Sequence, residues 1–135
     1  MKEKAKRRDL PSLEGCKSER SLATKEFISR IGDKWSILIV LALSRHDGTR
    51  ARFSDLKRGI SGISQTMLTS TLRSLERDGI VEREVFPEVP PRVEYQLTKL
   101  GLSVLEPMKV LTDWTINNWD AVKRARAKFD SSSSS

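Results

Sequence analysis

Gln65, Thr66, Thr69, Ser70 and Arg73 are the residues whose types and spacing carry a chemistry. Leu68, Leu72 and Leu75 recur at spacings of four and three, so they line one face of a helix and pack inward. The five polar residues then share the opposite, outward face, and Ser64, which opens the same helix, joins them as an expected DNA contact. These are short hydrogen-bonding side chains plus one arginine, a set suited to phosphate oxygens and base edges. Solvent-facing helices of this length ordinarily carry Glu–Lys pairs. This one is uncharged until Arg73, in a chain that is 32% charged.

The flanking sequence must position that face. Residues 54–60 read as a short helix with Leu56 and Ile60 inward, Ser61-Gly62-Ile63 as a tight turn, and 64–78 as the longer helix, terminated by Gly79. Residues 80–86 and 93–97 alternate as strands, with Val93, Tyr95 and Leu97 set against Glu94 and Gln96. Between them Pro87-Glu88-Val89-Pro90-Pro91-Arg92 holds three of the five prolines. It predicts a stiff tip with Arg92 at its base, reaching phosphate or the minor groove. That order describes a helix-turn-helix (54–78) followed by a wing (80–97), a module that puts one helix in the major groove of DNA. A short strand at 50–53 supplies the third member of the sheet. The fold class expected is mainly α with a small β-hairpin sheet: a winged helix-turn-helix with flanking dimerisation helices.

Charge points to the same partner. The chain has 25 basic and 18 acidic residues, a formal net charge of +7, which favours a polyanion. Residues 53–97 are not the source of the excess: Lys57, Arg58, Arg73, Arg77, Arg83 and Arg92 face Asp55, Glu76, Asp78, Glu82, Glu84, Glu88 and Glu94. The surplus lies at 1–8, 45–52 and 123–128, so double-stranded DNA is expected to be gripped by flanking segments and read by the central helix. For the two terminal runs, solubility explains the charge equally well. A length of 135 residues with 37% hydrophobic content fits one domain with a real core. The single cysteine, Cys16, excludes an intramolecular disulfide framework and argues for a reducing compartment. No apolar stretch of signal-peptide length opens the chain. The longest apolar run, 37–43, falls far short of the ~20 residues that span a bilayer. A cytoplasmic protein without membrane association is expected.

The outer segments complete the organisation. Residues 1–15 are charged and aperiodic and predict a basic flexible arm. Ser18 caps a helix running to about Ile31, and Asp33 caps Lys34–Ser44, a helix apolar nearly all round and hence the central post of the core. The unit that begins at Cys16 runs to Trp119 (16–119). After Thr98 a helical pattern continues, with a kink or restart expected at Pro107. Residues 120–130 form its end, and 131–135 a disordered serine tail. A winged-helix core needs only 35–97. Phe27, Ile28, Met108, Leu111, Trp114 and Trp119 would therefore leave an apolar patch on a monomer, and they predict a homodimer interface. The alternative is that the outer helices fold back on their own core.

With these residues in hand, the chain resembles bacterial HxlR-type winged helix-turn-helix regulators. The matching stretches are Cys16, Ile31-Gly32-Asp33-Lys34-Trp35, Arg52-Phe53-Ser54-Asp55-Leu56, Gly62-Ile63-Ser64-Gln65-Thr66-Met67-Leu68-Thr69, Leu72-Arg73-Ser74-Leu75-Glu76-Arg77-Asp78-Gly79, Val89-Pro90-Pro91-Arg92-Val93-Glu94-Tyr95-Gln96-Leu97-Thr98 and Trp114. The resemblance implies a dimeric transcription regulator whose winged module binds DNA; two recognition helices one turn of B-DNA apart would then read an inverted-repeat operator. It further implies a possible redox sensor at Cys16, responsive to a small electrophile or oxidant. A helix start and the neighbours Lys17 and Arg20 favour the reactive thiolate. Glu14 and Glu19 oppose it, so an ordinary small residue is the other reading of Cys16.

Enzymatic chemistry finds little to stand on. The chain has one histidine and one cysteine, no glycine-rich phosphate loop, and neither HExxH nor CxxC. No catalytic residue, metal ligand or cofactor is expected. Glu82 and Glu84 alternate on a strand beside basic residues and read as a solvated face. Gly59-x-x-Gly62 resembles the loop of a KH domain, although a proline-tipped hairpin follows it. The alternative to an operator-specific regulator is a winged-helix module that binds protein or RNA.

Overall fold

Asp33 starts the helix that the rest of the molecule surrounds. Its carboxylate accepts the Trp35 N–H at 3.1 Å, satisfying a donor the first turn leaves open. Ile39, Val40 and Leu43 behind it are wholly buried. The computed structural model describes residues 19–133. In chain order they form α1 (Glu19–Ile31), α2 (Lys34–Ser44), a single 3-10 turn (Asp47–Thr49), β1 (Arg50–Arg52), α3 (Phe53–Gly59), α4 (Gln65–Arg77), β2 (Val81–Phe86), β3 (Arg92–Leu97) and α5 (Lys99–Ser133). The arm expected at 1–15, Cys16, the Ser18 cap and residues 134 and 135 lie outside the described residues. α2 packs against α1, α3, α4, α5 and two strands, as the post that its all-round apolar sequence predicts.

The sheet is antiparallel with β3 central, in the order β1-β3-β2. Its register pairs Val81 with Leu97, Arg83 with Tyr95 and Val85 with Val93, so these six share one face. Glu82, Glu84 and Phe86 pair with Gln96, Glu94 and Arg92 on the other. The first face begins in the core, where Val81, Leu97 and Ala51 are buried, and runs outward past Arg83 toward the tip. The second is the polar outer surface of the wing.

Local chemistry sets the ends of α4. The Ser64 hydroxyl accepts the Met67 N–H at 3.0 Å as an N-cap. At the other end the Ile80 N–H donates to Leu75 O (2.9 Å) and the Gly79 N–H to Glu76 O (3.1 Å), a paired closure that needs a left-handed residue. Gly79 supplies it with φ 78°. Leu68, Thr71, Leu72 and Leu75 are buried beneath. Both helices of the motif begin or end within one residue of the bounds the sequence predicts.

Thr98 joins the wing to the last helix. Its hydroxyl donates to Gly79 O at 2.5 Å and accepts the Gly101 N–H at 3.0 Å. A Cβ on Gly101 would lie 2.2 Å from Ile80 O, so only glycine lets α5 pass that close. Three expectations are corrected here. Met108 is 5% exposed and belongs to the chain's own core with Leu105, so it is not interface surface. Of the kink or restart expected at Pro107, the restart does not occur: α5 runs unbroken from Lys99 to Ser133. Pro107 and Ser103 are both exposed, so the Ser103 carbonyl that the proline leaves without an N–H faces water. Residues 131–133 are helical rather than a disordered tail, and Ser132 and Ser133 hydroxyls donate to Lys128 O and Asp130 O one turn back.

Candidate nucleic-acid interface

The outward side of α4 is built as the leucine spacing predicts. Gln65, Thr66, Thr69, Ser70 and Arg73 are exposed and together line a shallow concavity of about 460 Å³. Among the described residues the side chains of Gln65, Thr66, Thr69 and Arg73 make no hydrogen bond, and Arg73 has no carboxylate within ion-pair distance. Ser64 and Ser70 differ: the first caps the helix, and the second donates to Met67 O at 3.2 Å.

Thr69 also belongs to a cleft of about 560 Å³ between α4 and the wing, lined by Arg52, Ser54, Arg83, Val93 and Tyr95 among others. A smaller hollow of about 360 Å³ joins Thr69 and Arg73 to Glu76, Arg83 and Tyr95. The exposed face of the helix and the inner face of the wing are therefore one continuous surface. Sequence reasoning missed Arg52, Arg83 and Tyr95. For the last two the signal was strand parity, since Arg83 alternates with Val81 and Val85, and Tyr95 with Val93 and Leu97.

Arg92 lines this cleft too, at the base of the tip, but with carboxylate partners of its own. Its Nη1 lies 2.7 Å from Glu88, and its Nε lies 2.9 Å from Glu94 without hydrogen-bond alignment. The guanidinium sits 4.0 Å over the Phe86 ring. Register sets Arg92 opposite Phe86 on the face of Glu94, while its place at the start of β3 also brings it to the cleft beside α4 with Thr69 and Tyr95. It shares that face with Arg50, whose Nε donates to Glu94 (2.5 Å), whose Nη1 donates to Gln96 (3.1 Å), and whose Nη2 pairs with Glu84. The hydrogen bond from Arg50 holds the Glu94 carboxyl below its usual range, against the opposing effect of burial. Both partners raise Arg50 in turn.

Away from this surface, Phe27, Ile28, Leu111, Trp114 and Trp119 are all exposed, as the interface expectation requires of a single copy. Pro107, Val110, Leu111 and Trp114 form a shallow, open, almost wholly apolar patch on α5. Among the described residues no cluster of His, Cys, Asp or Glu is arranged to hold a metal ion, and no helix is long and apolar enough to cross a membrane.

The comparisons agree with this geometry. A family model described as HxlR-like helix-turn-helix matches residues 30–123. The HTH-type transcriptional regulator YtfH of Escherichia coli (strain K12) is 43% identical over 103 residues, which cover 76% of this chain and 79% of that protein. Among solved structures, the transcriptional regulator YtfH from Salmonella typhimurium matches with a TM-score of 0.71 at 40% identity, covering 77% of this chain and 90% of that one. The redox regulator HypR in its reduced form matches with a TM-score of 0.67 at 37% identity, covering 75% and 97%. The chain belongs to the HxlR-like helix-turn-helix family and is a DNA-binding transcriptional regulator of winged-helix fold.

Proposed function

We propose that the chain acts as a homodimer on an inverted-repeat operator, each copy setting α4 in a major groove so that Gln65, Thr66, Thr69, Ser70 and Arg73 meet base edges. The observation that carries this reading is the open hydrogen-bonding face of α4, where Arg73 has no carboxylate within ion-pair distance among the described residues. Two such helices on one side of B-DNA stand about 34 Å apart, one helical turn. Phe27 and Ile28 on α1 and Leu111, Trp114 and Trp119 on α5 supply the pairing surface, because a monomer would leave them in water. Cys16, outside the described residues, is the proposed sensor of an electrophile or oxidant. The support is the likeness to HypR, titled a redox regulator, together with the cationic neighbours Lys17 and Arg20.

One set of titrations tests the three parts, using a duplex that the full chain selects from a randomised pool and a scrambled control. Arg73→Ala is expected to cost about 1–3 kcal/mol on the selected duplex and much less on the control; equal losses would demote Arg73 to a phosphate contact. Leu111→Asp should sediment as a monomer with little affinity for the selected duplex, and a normal dimer would move the interface elsewhere. Peroxide, quinone or aldehyde should change the affinity of the wild type and leave Cys16→Ser unmoved. Identical behaviour of the two proteins would remove Cys16 from the switch.

A further inference from the structure

Arg83 and Tyr95 stand opposite each other on the inner face of the wing, between its buried root and its exposed tip. The Tyr95 ring is buried, yet its hydroxyl makes no hydrogen bond among the described residues and is not sealed from solvent, since the residue lines both hollows beside α4. Burial raises the Tyr95 phenol above its ordinary value, with Arg83 opposing and Glu76 reinforcing the shift, so at neutral pH it is a hydrogen-bond donor. Arg83 reaches back across the cleft to α4, where its Nε lies 3.4 Å from Glu76 Oε1. Both partners of that ion pair are about half exposed, which makes it weak and exchangeable. The Thr69 hydroxyl and Arg73 border the same hollow, and Arg52 lines the cleft from the β1–α3 junction. The other carboxylate lining the cleft, Glu88, is already paired to Arg92.

A helix lying in a major groove has a sugar–phosphate backbone along each side. A cleft that runs beside α4 and opens toward the wing meets phosphates, not base edges. We infer that this cleft binds a DNA backbone phosphate, with Arg83 and the Tyr95 hydroxyl as its ligands and Glu76 as the internal carboxylate that the phosphate displaces. The site rests on the DNA-reading proposal above and adds to it a contact that carries affinity without sequence preference. In free protein the Glu76 carboxylate occupies the position of the anion and keeps Arg83 on the α4 side of the cleft. On DNA the phosphate takes both donors, and Glu76 is released to water.

The test uses the full chain, the selected duplex and the scrambled duplex, over a salt series, with circular dichroism to confirm the fold of each variant. Arg83→Ala should weaken both duplexes alike, about tenfold, and lower the salt slope by about one. Arg83→Lys should keep the slope. Tyr95→Phe should weaken both about two- to fivefold with the slope unchanged, because a neutral donor releases no counterion. Glu76→Gln should tighten both about two- to fivefold, and that gain should vanish on an Arg83→Ala background. Folded Arg83→Ala with wild-type affinity and slope overturns the site. A Glu76→Gln gain that survives without Arg83 overturns the displacement. Arg73→Ala separates the two proposals: if it loses the selected duplex while Arg83→Ala and Tyr95→Phe lose nothing, operator reading stands and the phosphate site falls. A wild type that binds neither duplex removes both.

Discussion

The outward face of α4 and the outer face of the wing are both exposed and polar, and they treat their charges in opposite ways. On the wing, Arg50 and Arg92 flank Glu94, reach Glu84 and Glu88, and hold Phe86 between them. On α4, Gln65, Thr66, Thr69 and Arg73 have no internal partner among the described residues. Satisfied ions stiffen a surface and make it indifferent to what approaches. Open donors are hydrated at no cost in free protein, but a partner that strips the water without replacing the bonds loses about 1–3 kcal/mol per group. Discrimination therefore belongs on the open face, while the paired face holds the hairpin in shape beside it.

The hardest way to break this division is from behind. Leu72→Ala removes a wholly buried side chain under the reading face and should destabilise the protein by about 2–5 kcal/mol in chemical denaturation. Thr69→Ala, one face away, should stay within about 0.5 kcal/mol. A gentler change separates two roles within the polar set itself. Ser64→Ala should cost about 1 kcal/mol of stability, since its oxygen is the N-cap of α4. A loss of DNA affinity at unchanged melting temperature would instead return Ser64 to the reading face. The smallest effect is on the wing. The folded-state pKa of Glu94 lies below its ordinary value, so its contribution is complete above the ordinary glutamate value of about 4.3 and is lost as pH falls through the depressed one. Amide exchange at β3 should accelerate there, after correction for intrinsic rates, while α4 amides hold. Uniform protection of both down to the global acid transition would show that the network adds nothing local.

Most of the scaffold was legible because local signals agreed with one another. Asp33, Ser64 and Gly79 fix helix ends through single hydrogen-bonding patterns, and the 68–72–75 leucines orient α4 without reference to anything distant. What escaped depends on which of two similar surfaces meets which partner. Met108 and Leu111 are three residues apart on one helix and equally apolar, yet one fills the core and the other faces outward. Periodicity marks both stripes and cannot say which belongs to the chain itself. Arg92 lies at the base of the tip as the sequence suggests, but its pairing with Glu88 and Glu94 became visible only in the fold. The Arg50–Glu84 and Arg50–Glu94 pairs join residues 34 and 44 positions apart, which only the register brings together.

The junction at Thr98 has a mechanical consequence. Through one hydroxyl and one missing side chain, the root of α5 is fastened to the carbonyls that follow the end of α4. From Gly101 to Trp119 the helix extends about 27 Å, with its last buried residue at Met108. Leu105 and Met108 fasten its first turns to the core, so the part free to bend is the stretch of about 17 Å from Met108 to Trp119. A bend of 10° beyond Met108 would move Trp119 by about 3 Å and leave the Thr98–Gly101 junction where it is.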